Sequence, residues 1–227
     1  MICRYVFSLV SVLLLGSCAS PDSHTMPQLL AIAGKNPGPT ECAKIFPTGH
    51  WQLSHLITFA LAGGSGTAVG VVVLNGEETR CALVSVEGLT LFAAQVTGGN
   101  APEVTRALPP FDQPDFAEGL MRDIRTIFRF PPGNAEYGQL ADGTPVCRYT
   151  DLPAGTDILL EEDGCWSIAT YGGQTRTRLI RARSCRMIGS TAVAEELELV
   201  AAEPAGYTLN MQLISAEHLP ASKGDLP

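Results

Sequence analysis

Few side chains in this 227-residue chain are placed to do chemistry, and most of them fail on spacing. The four histidines, His24, His50, His55 and His218, show no metal-ligand spacing. His50 and His55 lie five apart on an extended stretch, so they point to opposite faces of a strand. The seven cysteines include no C-x-x-C pair and no Cys/His cluster of the zinc type. Gly64-Ser65-Gly66 sets a serine between glycines, but a nucleophile elbow needs G-x-S-x-G, and Thr67 stands where its last glycine belongs. Gly164-Cys165-Trp166 lacks the upstream Cys-Gly of a thiol-protease nucleophile, and no histidine follows it before His218. Glu161-Glu162-Asp163 falls in a turn and reads as solvated. No catalytic set, cofactor site or metal site is expected, and the chain reads as a non-enzyme.

Cys18 is the exception. Arg4 precedes an apolar run from Tyr5 to Leu15, which suits a signal-peptide core and falls short of the ~20 residues a spanning helix needs. The run ends in Leu15-Gly16-Ser17-Cys18, which resembles the lipobox of bacterial lipoproteins. That resemblance implies transfer of a diacylglyceryl group to the Cys18 thiol, cleavage before it, and acylation (palmitate or a similar chain) of the new amine. Two or more chains anchor a protein stably, at about 0.8 kcal/mol per buried methylene. Ala19 and Ser20 follow with no Asp, a pattern similar to that of proteobacterial lipoproteins sorted to the outer membrane. The expectation is an outer-membrane anchor with the body facing the periplasm.

Removing residues 1–17 removes Arg4, so 15 less one leaves 14 Lys+Arg against 23 Asp+Glu, a net charge of −9. An acidic body is repelled by phosphate backbones, and nucleic acid is excluded as a partner. The remaining cysteines are Cys42, Cys81, Cys147, Cys165 and Cys185. An oxidising compartment permits two disulfides. Cys147 and Cys165 flank a short segment and are the first pair expected to bridge, with buried free thiols the alternative. The division expected is a signal peptide over 1–17, a lipidated N-terminus and flexible tether over 18–47, one body over 48–218 and a disordered tail over 219–227.

The elements of the body follow from periodicity. Trp51, Leu53, Ile57, Phe59 and Leu61 alternate with polar residues, and Gly63 to Gly66 turns the chain. Strands Val69–Leu74 and Thr79–Val86 flank Asn75-Gly76, a strong type I′ hairpin signal. Strands Leu89–Thr97 and Glu103–Leu108 follow. Asp112 is expected to cap a helix whose stripe is Phe116, Leu120, Ile124, Ile127 and Phe128, with Glu118, Arg122, Asp123, Arg125 and Arg129 off it. The second half returns to β over Val146–Thr150, Thr156–Glu161, Cys165–Tyr171, Arg176–Ser184, Ala194–Ala201 and Tyr207–Ser215. The fold class is mainly β with helix (α+β), a curved antiparallel sheet covered by helix. Arg176, Arg178, Arg181, Arg183 and Arg186 crowd one strand, read as a solvated face offset by Glu196 and Glu198, or as a contact surface for headgroups or an acidic partner.

The segments Val86-Glu87-Gly88-Leu89-Thr90-Leu91-Phe92 and Leu108-Pro109-Pro110, with the helix Asp112–Arg129, resemble a family of LolB-like bacterial lipoproteins. The resemblance covers about residues 50–130, and extends further by strand pattern. It implies a LolA/LolB-like β half-barrel, helices as a lid, and an apolar cavity for acyl chains of a lipoprotein or lipid. Face assignments then offer Trp51, Leu53, Ile57, Phe59, Leu91 and Phe128 as a lipid-binding lining. The competing reading is that they fill a closed core. LolB inserts an exposed loop leucine into the membrane, and the turns at Gly63–Gly66 and Asn75-Gly76 offer no counterpart. The function expected is acyl-chain binding at the outer membrane, with a structural lipoprotein contacting a periplasmic protein partner as the alternative.

Overall fold

The computed structural model describes residues 25–32, 38–61, 64–150, 154–202, 204 and 206–219. The signal peptide, Cys18 and the expected tail beyond residue 219 lie outside them. A short helix α1 (Gly38–Ala43) leads into five consecutive strands: β1 (Trp51–Leu61), β2 (Gly64–Asn75), β3 (Glu78–Val84), β4 (Thr90–Thr97) and β5 (Glu103–Ala107). Helix α2 (Phe116–Phe128) follows, then β6 (Ala135–Gln139), β7 (Pro145–Tyr149), β8 (Ala154–Leu160) and β9 (Trp166–Gly172). The chain closes with β10 (Thr175–Ile188), β11 (Thr191–Ala201) and β12 (Tyr207–His218).

All twelve strands join one open, curved antiparallel sheet in the order β5-β4-β3-β2-β1-β12-β11-β10-β9-β8-β7-β6. The first five strands step outward from the centre to one edge, and the last seven step inward from the other. The connection from β5 to β6 must therefore cross the whole sheet, and α2 makes that crossing. It buries Met121, Ile124, Ile127 and Phe128 against the sheet, each contributing about 2 kcal/mol by area. Arg129 then pins its C-terminal end to the β2–β3 hairpin. Its guanidinium donates to the Gly76 and Glu78 carbonyls and, at 3.1 Å from Nε, to the Thr79 hydroxyl.

Strand periodicity delivers the inward face as expected. Trp51, Leu53 and His55 are buried on β1, and Met211 is buried on β12 with Tyr207, Leu209 and Leu213 packed around the core. Elsewhere the structure differs from expectation. The helix cap is Asp115, not Asp112. Pro114 disfavours the helical region at Gln113, so the helix cannot reach back past it. Residues 64–66 open β2 rather than forming a turn. The expected tether also ends early. Cys42, Ile45 and Phe46 are fully buried, α1 is helical, and Thr25 and Leu30 pair with Thr175 and Gln139.

The disulfide expected between Cys147 and Cys165 does not form. Cys42 bridges Cys147 and Cys165 bridges Cys185, with Cα separations of 6.5 and 5.2 Å. The register explains it: Cys147 pairs Ile158, and Ile158 pairs Ile168 on β9. Two strand spacings of about 4.8 Å already exceed the ~7 Å limit for a bridge. Cys165 lies three further residues along. Cys81 stays a buried thiol, and burial pushes its pKa up to about 11.

Candidate functional site

Between α2 and the concave sheet lies a cavity of about 440 Å³. Ile57, Phe59, Ala68, Leu83 and Leu209 form its sheet wall, and Phe111, Phe116 and Leu120 form its helix wall. Phe59, Phe111, Phe116 and Phe92 make a continuous aromatic run, with successive ring centroids 6.0, 5.2 and 5.0 Å apart. Exposed Leu61, Asp115, Glu118 and Arg122 rim the opening. The volume lies within the roughly 300–1,000 Å³ usual for small-molecule sites.

The sequence-derived lining divides. Ile57 and Phe59 are on the cavity wall. Trp51, Leu53 and Phe128 are buried in the core toward the other end of the sheet, off the cavity wall. Leu91 is half-buried against the core and off the wall of this cavity. Alternation assigned the right face of β1, but it carries no information about where α2 touches that face and where it stands off. The helix descends onto the Trp51 end through Ile127 and Phe128, and lifts at its N-terminal turn to leave space.

One polar feature of the cavity was missed. Asp123 on α2 is 3% exposed and accepts from Arg178 Nε on β10 at 2.6 Å and from the Tyr207 hydroxyl on β12. Burial pushes its carboxyl above the usual carboxylate range, against the pull of the Tyr207 hydroxyl and the Arg178 guanidinium. Burial, reinforced by the carboxylate, drives the Tyr207 phenol in the same direction. A signal for this existed: Asp123 stands three after Leu120 and seven after Phe116, positions that belong to the apolar stripe.

Three further arginines of β10 are answered within the sheet. Arg181 and Arg183 share Glu198, and Arg186 meets Glu195. That favours the solvated-face reading over a contact surface. Conversely, the β3–β4 turn leaves Val86 66% and Leu89 50% exposed. Among the described residues there is no cluster able to hold a metal ion, and no helix long and apolar enough to cross a membrane.

No family model and no curated protein matches this sequence. Solved structures do match in shape. A domain named as an outer membrane lipoprotein-sorting protein, from Vibrio parahaemolyticus, superposes with a TM-score of 0.51 at 10% identity, over 82% of this chain and 92% of that one. The shared fold is an open, curved antiparallel half-barrel with helix against it. A LolA superfamily protein from Nitrosomonas europaea matches with a TM-score of 0.48 at 13% identity, over 83% of this chain and 92% of that one. A DUF1329 family protein from Desulfovibrio piger gives 0.42 at 6%, over 76% and 87%.

Proposed function

We propose that this protein is an outer-membrane lipoprotein that holds an acyl chain of a lipid or lipoprotein beneath α2 and takes part in its transfer to the membrane, without catalysis. The observation that carries the reading is the open apolar cavity walled by Ile57, Phe59, Leu83, Phe116 and Leu120. Each methylene buried there contributes about 0.8 kcal/mol, so affinity grows with chain length until the cavity is full. The lipobox-like Cys18 supplies the address. The exposed Val86 and Leu89 supply an apolar tip of the kind that transfer into a bilayer requires. The shape shared with the Vibrio lipoprotein-sorting domain agrees with this use. Holding a chain needs only burial, so no reactive group is called for.

Displacement of a fluorescent fatty acid from the mature protein, with native mass spectrometry of co-purified species, tests the reading. Binding is expected to strengthen with chain length and to be lost in Phe59→Asp and Ile57→Asp with the circular dichroism spectrum unchanged. A body that takes up no acyl chain would overturn it in favour of a lipoprotein that contacts a protein partner.

A further inference from the structure

The first described residues are sewn to the back of the sheet. Thr25 bridges Thr175, and the Met26 N–H donates to the Gln174 carbonyl at 2.8 Å. Arg148 Nη2 donates to the Pro27 carbonyl at 2.8 Å, and Leu30 exchanges two 2.9 Å backbone hydrogen bonds with Gln139. Two glycines provide the seat. A Cβ at Gly138 would lie 2.6 Å from Leu29 Cγ and 2.8 Å from the Leu30 carbonyl oxygen, so a side chain there displaces the segment, and one at Gly155 would lie 2.6 Å from Met26 Cε and would push that methyl aside.

This docking shortens the leash. A tether free to residue 47 would span roughly 100 Å when taut and would let the body face any way. With Thr25 held, only seven peptide steps separate it from Cys18, a reach of at most about 25 Å. The docking point is also not central. Thr175 begins β10, three residues before Arg178, and Arg178, Ala201, Tyr207, Thr208 and Ala60 follow one another across the paired strands. That row is the rim bearing the cavity mouth. The opposite rim carries the β10–β11 turn, and β10, with 14 residues, places it roughly 40 Å away.

We infer that the short anchor holds the cavity rim, and not the opposite rim, toward the membrane in which Cys18 is embedded. An inverted body would put Thr25 roughly 40 Å from the bilayer, beyond the ~25 Å the chain can reach. The cavity of the proposed function, on which this inference rests together with lipidation of Cys18, then exchanges its acyl chain at the bilayer surface. Exposed apolar side chains do not decide the matter, because Val86 and Leu89 stand at the cavity rim and Met187 near the other. The tether length does.

The test uses full-length lipidated protein in phosphatidylethanolamine–phosphatidylglycerol vesicles whose headgroups carry a nitroxide quencher. A fluorophore is placed at Glu87→Cys on the cavity rim or at Ser190→Cys on the opposite rim; buried Cys81 does not compete for label. Several-fold stronger quenching at position 87 is expected. A Gly/Ser insertion of about 20 residues between Asp22 and Ser23 adds about 25 Å of root-mean-square reach and should abolish the difference while the protein stays on the vesicles. Equal quenching at the two rims, or stronger quenching at 190, overturns the inference, as does a difference that survives the insertion. Fatty-acid binding by the unlipidated Cys18→Ala protein reads the cavity alone. Binding without a rim difference therefore removes the orientation, and a rim difference without binding removes the cavity.

Discussion

Acidification should weaken this fold through a single imidazole. His55 is 3% exposed on the inward face of β1, and its ring lies 5.9 Å from that of Phe128 on α2. Burial pulls its pKa from 6.5 down to about 4. The unfolded chain therefore takes up a proton as the pH falls through 6.5, while the folded protein refuses it until about 4. Stability from this source is intact above the upper value, is lost progressively between the two, and falls no further below the lower one. At 1.36 kcal/mol per pKa unit, the loss across the window is about 3 kcal/mol, a large share of a typical domain's stability. The assay is a series of urea unfolding curves at stepped pH for the native sequence and for His55→Leu. Carboxylates titrate in both proteins and cancel in the difference, leaving the imidazole. The native protein should lose about 3 kcal/mol more than the variant between neutral pH and about pH 4. Parallel curves for the two proteins would refute the reasoning, since they would mean that folding does not hold His55 neutral.

Four other outcomes follow. Asp123→Ala leaves the half-buried Arg178 and Tyr207 without their acceptor and should cost about 3 kcal/mol in thermal unfolding, while Asp123→Asn, which keeps an acceptor, should cost less. Trp51→Ala should cost about 3–5 kcal/mol yet leave fatty-acid affinity unchanged, because Trp51 is core and not cavity wall. Replacing the Cys42–Cys147 pair with alanines releases a 105-residue separation and should cost about 4.7 kcal/mol by chain entropy, against about 3 for Cys165–Cys185 with its separation of 20. Gly138→Leu should unseat residues 25–32, read as new protease cleavage there with the sheet intact.

Much of the fold was legible because its causes are local. Period-two alternation in Trp51 to Leu61 and Tyr207 to Ser215, the Asn75-Gly76 hairpin and the stripe from Phe116 to Phe128 each state their element within a few residues. Two elements were not legible. α1 sits in a Pro/Gly-rich stretch, with Pro39 in its first turn, where a missing N–H costs nothing but the composition reads as linker. β6 has only Ala135 and Tyr137 as apolar residues and is held by pairing to β7 rather than by its own pattern. Asp123 was misplaced because a charged residue is assigned to solvent by default, and its partners Arg178 and Tyr207 are more than 50 residues away.

What the sequence determined by itself is the content of each face: which β1 residues point inward, and that α2 is amphipathic. What only the tertiary structure decided is where those faces meet. The crossing from β5 to β6 sets the path of α2, and that path presses the helix onto Leu53 and His55 while leaving the cavity between it and Ile57 and Phe59. Strand order decided that Cys147 cannot meet Cys165, and pairing with Thr175 and Gln139 decided where residues 25–30 lie on the sheet. Distances between segments far apart in the chain depend on the summed register of many strands, and no local pattern encodes that sum.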